Sequence, residues 1–308
     1  MRVLIVTAVP AERDAVVRGV GATAPELAEL PVPGGVLHRL SPAPPTGPPL
    51  TVDVLAAGVG PAAAAAGTAA ALTAAAVART PYDLAVSAGI GGGFTTAHPV
   101  AALPTTATAR PAATTPGTAA PAATTPDTAA PAATTPGTGA PSTSTPATSP
   151  TTPAAAHLGS VVVADAIVAA DLGAETPDGF AAVTELGFGT VEHLPPAPLV
   201  AAVAEATDAV RGTVLTVSTV TGSAERAAEL LRRHPRAVAE AMEGFGVAEA
   251  AAAQCVPTLE VRTVSNAVGP RDRAAWRIGE ALEALTGAFA TIAPLLGTWT
   301  FDPEGTRQ

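Results

Sequence analysis

Short apolar runs bounded by glycine, proline and polar residues recur toward both ends of the chain and predict β-strands. The predicted strands lie at 2–8, about 51–56, Leu84–Ser87, Val161–Ala164, Val214–Val217 and Leu259–Val264. Helical segments are predicted from position 10, at about 62–78 and at about 273–295. Strands that alternate with helices predict an α/β fold, with a mostly parallel or mixed sheet covered on both faces.

The last predicted helix has one apolar face. Its apolar residues recur at four- and three-residue steps: Ile278, Leu282, Leu285, Phe289 and Ile292. In sheets that are covered on both faces, ligands bind beyond the carboxyl ends of the strands. Functional residues are therefore expected just after the predicted strands.

An Ala/Thr/Pro-rich tract from 95 to 156 interrupts this pattern. A ten-residue repeat, PAATTPGTAA and two close variants, runs through 111–140. The tract has one arginine, one aspartate and no Phe, Tyr or Trp, so it cannot offset the entropy cost of ordering. We predict a disordered, low-complexity insertion within a single domain, which is formed by residues 1–94 and 157–308.

Composition narrows the function classes. The 308-residue chain is 48% hydrophobic, carries a net charge of −10 and contains no lysine. Because binders of nucleic acid or anionic membranes usually have a basic face, both classes are disfavoured. Cys255 is the only cysteine, which excludes an internal disulfide and a cysteine-cluster metal site. The apolar run at 3–6 is too short for a signal peptide, and no uninterrupted apolar run reaches the ~18 residues of a membrane span, so we expect a cytoplasmic protein.

Polar side chains or glycines stand at four predicted strand ends. The segments are Thr7–Glu12, Ser87–Gly93, Ala241–Gly244 and Ser265–Asp272. Glu12 falls in the first turn of a predicted helix, where the helix dipole favours the carboxylate. An ionised Glu at a strand end can hold and deprotonate a water molecule. The alternative is that Glu12 only caps the helix.

The other three segments also offer groups that could contact a ligand. The glycines within 88–93 let backbone N–H groups approach it closely, although a tight turn explains them as well. Met242 and Glu243 pair an apolar surface with a carboxylate, which suits a ribose and its two hydroxyls; an ordinary helix start is the alternative. Asn266 offers an amide oxygen and an amide N–H side by side, which match protonated N7 and O6 of a 6-oxopurine. Asp272 fits a helix N-cap as well as a proton donor.

Four motifs, in their order along the chain, resemble the nucleoside phosphorylase superfamily, specifically its nucleosidase branch. They are AVPAERDAV, SAGIGGGF, AMEGFGVAEAA and TVSNAVGPRDRAAW. The resemblance covers nearly the whole chain outside the Ala/Thr/Pro tract. It implies a three-layer α/β/α fold around a central mixed sheet, a homo-oligomer, and hydrolysis of a purine N-glycosidic bond without a metal or an organic cofactor. The implied partners are a small nucleoside and water, with no nucleic acid and no membrane.

The resemblance also assigns residues. Glu12 matches the water-activating carboxylate of the nucleosidases, and Met242 and Glu243 match their ribose-binding pair. Five further positions match segments that contact the base and the sugar: Ile90, Gly91, Gly92, Thr219 and Val220. The first three match the backbone beneath base and sugar. The last two match a base-stacking segment in which relatives carry an aromatic residue.

One departure from the family pattern concerns the leaving base. Adenine-releasing nucleosidases have Asp at the position of Asn266, so the resemblance predicts release of hypoxanthine instead. An amide cannot give up a proton, which leaves water or Asp272 as the proton donor. Three segments, 169–180, AMEGFGVA and 265–282, look most like a subgroup whose substrate carries an aromatic carboxylate on its 5′ side. Three arginines are candidates to meet that carboxylate: Arg39, Arg226 and Arg271.

Hydrolysis is favoured over phosphorolysis by the segment 8–12. The phosphorylases have a Gly-x-Pro-x-x-Arg-like phosphate loop there, whereas this chain has AVPAE, whose carboxylate would repel phosphate. Arg13 lies beside it, so a phosphate-dependent inosine phosphorylase stays an alternative. An adenine-releasing methylthioadenosine-type nucleosidase and a non-catalytic nucleoside-binding module are two more candidate functions.

Overall fold

The computed structural model describes residues 1–22, 26–42, 49–95 and 155–299. The Ala/Thr/Pro tract, apart from its two ends, lies outside these residues, and its predicted disorder stays a prediction. The two ends lie close together, because a Cβ on Gly93 would collide with the carbonyl oxygen of Ala156. Ala156 is itself buried in the core. The described residues on either side of the tract therefore lie at neighbouring points of the fold.

Twelve strands and six α-helices lie within the described residues. The strands are β1 Arg2–Thr7, β2 Leu27–Val32, β3 Gly35–Leu40, β4 Thr51–Ala56, β5 Leu84–Gly93, β6 Val161–Ala169, β7 Gly173–Thr176, β8 Gly179–Ala182, β9 Glu192–His193, β10 Val210–Thr216, β11 Ala237–Ala241 and β12 Thr258–Ala267. The helices are α1 Pro10–Gly21, α2 Pro61–Val77, α3 Ala197–Thr207, α4 Ala224–Arg233, α5 Gly244–Ala252 and α6 Ile278–Thr298, with a short 3-10 helix at Arg273–Ala275.

The central sheet is mixed, as predicted. Its strand order is β11-β10-β6-β12-β5-β1-β4-β3-β2, with β9 paired to β6, and β7 and β8 form a separate hairpin. The pairs of β1 with β4, β1 with β5, β5 with β12, β6 with β10 and β10 with β11 are parallel. The pair of β6 with β12 is antiparallel, as are those among β2, β3 and β4. Strands β1, β4, β5 and β12 share one direction and bring their carboxyl ends to one edge, whereas β6, β10 and β11 run the opposite way.

The end of β5 closes part of the sheet into a ring. Its last two residues pair with β11 as well as with β12, in the register Glu240 with Gly92 and Ala239 with Gly93. A Cβ on Gly91 would lie 2.8 Å from the carbonyl oxygen of Glu240, so this approach of two backbones needs glycine. Strands β5, β12, β6, β10 and β11 thus form a small barrel beside the open sheet.

Helices cover both faces of the sheet. Alternate residues of β1 point to opposite faces: Val3 and Ile5 join the core that contains α1, α3 and α6, while Leu4 and Val6 join the core that contains α2 and α5. Both cores consist mainly of buried aliphatic side chains, with Phe289 in the first and Tyr82 in the second. The predicted three-layer α/β/α architecture is therefore confirmed.

The last helix, α6, is long and apolar enough to cross a membrane by length and composition. In this fold one of its faces packs into the core beside α1 and α3, and Leu285, Phe289 and Ile292 are fully buried there. The helix begins at Ile278 and not near 273 as predicted, because Arg273–Ala275 form a 3-10 turn that Asp272 caps through the N–H of Ala274.

Two strands run further than the sequence pattern predicts. The glycine-rich segment after Ser87 is not a turn, because it pairs with β12 up to Gly93. Ser265 and Asn266 likewise belong to β12. Both extensions arise because the ring gives these residues backbone partners that a local pattern cannot reveal.

Candidate active site

All four predicted segments meet around one cavity of about 380 Å³ at the carboxyl ends of β1, β5, β11 and β12. Eight of the ten predicted site residues line it: Glu12, Ile90, Gly91, Gly92, Val220, Met242, Glu243 and Asn266. The cavity is of the size that small-molecule sites have. Thr219 and Asp272 do not line it.

Glu12 is buried at the base of α1 and held by three backbone N–H groups. Its Oε2 accepts hydrogen bonds from Ala8 (2.9 Å) and Val9 (3.2 Å), and its Oε1 accepts one from Ile90 (2.9 Å). These bonds close the turn between β1 and α1 and tie it to β5. Burial raises the pKa of Glu12 above its ordinary value, against the opposing effects of Arg262 and of the bond from Ile90. Glu12 is thus a fixed carboxylate with increased basicity at the cavity wall.

Glu243 lies at the turn from β11 into α5. Its Oε1 accepts a hydrogen bond from the N–H of Gly60 at 3.2 Å, and its Oε2 accepts one from Arg262 Nη1 at 3.1 Å. Gly60 has a φ of 96°, a left-handed conformation that favours glycine, and Pro61 begins α2 immediately after it. Glu243 keeps acceptor capacity beyond these two bonds, and Met242 lines the cavity next to it.

A buried arginine on β12 organises the carboxylates. Arg262 is fully buried and donates to Glu260 Oε1 (2.9 Å), to Glu243 Oε2 and to Ser87 Oγ (2.8 Å). A buried guanidinium needs such partners, because an unpaired charge in the interior is very costly. The sequence analysis missed this residue. The signal that could have revealed it is the charged pair Glu260 and Arg262, two residues apart inside an otherwise apolar strand.

Two glycines make room for this charged cluster. A Cβ on Gly89 would lie 2.6 Å from Glu12 Oε1 and 2.8 Å from Arg262 Nη1, and a Cβ on Gly244 would collide with the carboxylate of Glu260. Glu260 is fully buried, and burial raises its pKa against the opposing effect of Arg262. One glycine of the SAGIGGGF motif, Gly89, is therefore explained by the packing of the charged cluster and not by contact with a ligand.

Asn266 lies beside Gly92 on β12. The hydroxyl of Ser265 lies 2.8 Å from Asn266 Oδ1, and the amide Nδ2 of Asn266 donates to the carbonyl of Ala267 at 3.0 Å. A Cβ on Gly92 would lie 3.3 Å from Asn266 Nδ2. The absence of a side chain at Gly92 thus leaves the amide accessible from the cavity.

The predicted base-stacking segment is shifted by one residue in the structure. Val220 and Thr221 line the cavity, whereas Thr219 is exposed outside it. Thr221 donates to Glu240, from its backbone N–H to Oε1 at 2.8 Å and from its hydroxyl to Oε2. Glu240 lines the same cavity and is another residue that the sequence analysis missed.

Asp272 lies outside the cavity that most of the predicted residues line. It is exposed, its carboxylate accepts a hydrogen bond from the N–H of Ala274, and it lines a neighbouring cavity that Asn266 and Trp276 also line. The structure thus shows the capping role that the sequence offered for Asp272. The choice between water and Asp272 as the proton donor stays a prediction.

The three candidate arginines occupy different environments. Arg39 forms a two-fold hydrogen bond with Asp53 at 2.7 Å, and Arg226 pairs with Glu229 at 2.6 Å on α4. Arg271 lines the cavity and lies over the ring of Trp276, 5.2 Å from its centroid. Of the three, Arg271 is the one placed to meet a ligand in this cavity.

Comparison with known proteins shows which family the chain belongs to. A model of the phosphorylase superfamily matches residues 153–294. A futalosine hydrolase from Streptomyces coelicolor is 54% identical over 299 residues, which cover 97% of this chain and 98% of that protein. This chain belongs to the futalosine hydrolase family. The predicted resemblance to the nucleoside phosphorylase superfamily is thereby confirmed.

Solved structures share the fold with this member of the futalosine hydrolase family. A futalosine hydrolase mutant of Helicobacter pylori has a TM-score of 0.61 at 16% identity, covering 96% of this chain and 98% of that chain. An S-adenosylhomocysteine nucleosidase from Streptococcus pyogenes, in complex with 5-methylthiotubericidin, has a TM-score of 0.64 at 14% identity, covering 98% of both chains. At these identities the likeness concerns the fold.

Proposed function

We propose that this chain hydrolyses the N-glycosidic bond of futalosine, releasing hypoxanthine and dehypoxanthinyl futalosine in the futalosine route of menaquinone biosynthesis. Membership of the futalosine hydrolase family supports the substrate. The observation that carries the reaction type is Glu12, a buried carboxylate held by three N–H groups at the wall of the cavity. A fixed negative charge there disfavours phosphate and favours water as the nucleophile.

The ribose would lie against Met242 and Glu243. The Glu243 carboxylate is fixed from behind by Gly60 and Arg262, so its remaining lone pairs can accept hydrogen bonds from the 2′- and 3′-hydroxyls. A carboxylate close to the sugar also stabilises the positive charge that develops on the ring as the C1′–N9 bond loosens.

Bond breaking at the sugar precedes attack by water. The C1′–N9 bond breaks and its electron pair leaves with the base, which is protonated at N7 from water. Asn266 stabilises that protonated base through its amide oxygen and holds O6 through its amide N–H. A water molecule then attacks C1′ and Glu12 accepts its proton, which afterwards neutralises the hydroxide left by protonation of the base. The backbone from Ile90 to Gly92 lies beneath the base and the sugar. Val220 contacts the base, whereas Thr219 does not.

The 5′ side of futalosine carries an aromatic carboxylate. Within this proposal Arg271 meets the carboxylate, because it is the candidate arginine that lines the cavity. Trp276, which also lines the cavity, provides an aromatic surface next to it.

We also propose that the protein is cytoplasmic and works as a homo-oligomer. Exposed apolar side chains between positions 172 and 194 support an assembly: Leu172, Leu186, Phe188 and Leu194. Light scattering of the purified protein tests the assembly, and a monomer at micromolar concentration would contradict it.

Solvent labelling tests the reaction type. The reaction is run in water enriched in ¹⁸O, in phosphate buffer, and the sugar product is examined by mass spectrometry. Hydrolysis predicts one ¹⁸O atom at C1′ of dehypoxanthinyl futalosine. A sugar 1-phosphate would establish an inosine phosphorylase-like reaction, and release of adenine from methylthioadenosine would establish the other nucleosidase class. Binding of futalosine without turnover would favour the binding module.

A further inference from the structure

Glu240 is a buried carboxylate in the cavity that the steps above do not use. It lies on β11 directly opposite Gly92 of β5, and Asn266 of β12 lies opposite the same Gly92 on its other side. Residues directly opposite each other in a sheet point to the same face. Glu240 and Asn266 therefore flank a position without a side chain, two strand spacings or about 10 Å apart in their backbones.

The hydrogen bonds of Glu240 define what it offers to a ligand. Both groups of Thr221 donate to it, the N–H to Oε1 and the hydroxyl to Oε2. A carboxylate has about four acceptor positions, so Glu240 keeps acceptor capacity after these two bonds. The two donors favour the ionised form and oppose the effect of burial, which raises the pKa of Glu240. Towards the cavity Glu240 thus presents hydrogen-bond acceptors.

Purines differ in the groups that they would place against such an acceptor. A 6-oxopurine carries a proton on N1 and an acceptor at O6, whereas a 6-aminopurine has a bare N1 and donors at its amino group. A carboxylate can accept from the first N1 and is repelled by the lone pair of the second. An amide such as Asn266 can serve the O6 and N7 side of the same ring.

We propose that Glu240 recognises the base by accepting a hydrogen bond from N1–H of a 6-oxopurine, with Asn266 on the adjacent edge of the ring, which carries O6 and N7. This inference rests on the proposed function and adds to it the group that selects hypoxanthine over adenine. Thr221 fixes the carboxylate in this role. The base lies over Gly92, between the two side chains.

Glu240→Gln tests the recognition, because Gln keeps the shape of Glu and can donate to a bare N1. The values of kcat/KM are measured for futalosine and for its 6-amino analogue. The wild type should prefer the 6-oxo substrate, and the variant should reduce that preference by about 100-fold, as expected when a hydrogen bond to a charged group is lost. A preference within about threefold of wild type overturns the proposal.

Thr221→Val is the matched control. It removes the hydroxyl bond to Glu240 but leaves the carboxylate and the backbone bond in place. If Glu240 only holds the Thr221 loop, both variants lower turnover of both substrates alike. Recognition instead predicts a large loss of the preference in Glu240→Gln and a smaller loss in Thr221→Val, in which the carboxylate and the backbone bond remain.

A measurement on the wild-type protein tests the proposal even if the Glu240→Gln variant does not fold. Futalosine methylated at N1 cannot donate to Glu240, and its kcat/KM should be lower by about 100-fold; equal rates overturn the proposal. If the wild type does not hydrolyse futalosine at all, the proposed function fails separately. Calorimetry then compares free hypoxanthine with 1-methylhypoxanthine, and equal affinities refute the role of Glu240.

Discussion

Replacement of Arg262 by Met should destabilise the fold in a pH-dependent way. Met fills a similar volume but removes the positive charge that Glu243 and Glu260 share at 3.1 and 2.9 Å. Removal of one partner from a buried ion pair leaves an uncompensated charge and costs about 3–5 kcal/mol. For a folded unit of this size that loss lowers Tm by roughly 6–20 °C.

The pH dependence follows from the pKa values of the buried carboxyls. Burial raises the pKa of Glu12 and of Glu260, so the folded state binds their protons more tightly than the unfolded state does. These groups stabilise the folded state fully below their unfolded-state pKa. That stabilisation is lost as the pH rises through their folded-state pKa. Without Arg262 both pKa values rise further. The destabilisation by Arg262→Met should therefore be larger at pH 8 than at pH 5.5.

Urea unfolding followed by circular dichroism at both pH values measures this difference. Arg18→Met is the control, because Arg18 pairs with Glu283 at 3.6 Å on the surface and its loss should cost less than about 1 kcal/mol at either pH. A second change, Glu260→Gln, should restore part of the stability of Arg262→Met. The reasoning is refuted if Arg262→Met costs less than about 1 kcal/mol or costs the same at both pH values.

Four further predictions concern catalysis. Glu12→Gln should lower kcat by about 10³-fold while isothermal titration finds futalosine bound within about threefold of wild type, and near-normal turnover would rule out water activation by Glu12. In the wild type, kcat/KM should fall with acidic pH through the raised pKa of Glu12. Arg271→Ala should raise KM more than about 10-fold for futalosine and less for an analogue without the carboxylate; an equal rise for both would assign Arg271 to the base. Replacement of 96–154 by a short Gly/Ser linker should leave kcat/KM unchanged, since the two ends of the tract adjoin, and loss of folded protein would refute a spacer role.

Local patterns in the sequence predicted the layers and the edge of the sheet that carries the site. Alternating strands and helices gave the α/β class, and strand-end residues such as Glu12, Glu243 and Asn266 do meet at one cavity. These predictions succeed because apolar periodicity and the placement of polar residues after strands are local features.

The ring closure and the buried charges could not be predicted in this way. Glu240 reaches the cavity only because β11 pairs with the end of β5, a contact between residues almost 150 positions apart. Arg262 is buried because three elements supply Ser87, Glu243 and Glu260 as partners. Asp272 shows the converse: a carboxylate near the site in sequence is used by the 3-10 turn that follows.

Identification of the released base tests the central claim most directly. Purified protein is incubated with futalosine, inosine and methylthioadenosine, each with and without phosphate, and the products are separated by chromatography. We predict hypoxanthine from futalosine alone, at the same rate with and without phosphate. Adenine as the product, a requirement for phosphate, or no base from any of the three nucleosides would contradict the account.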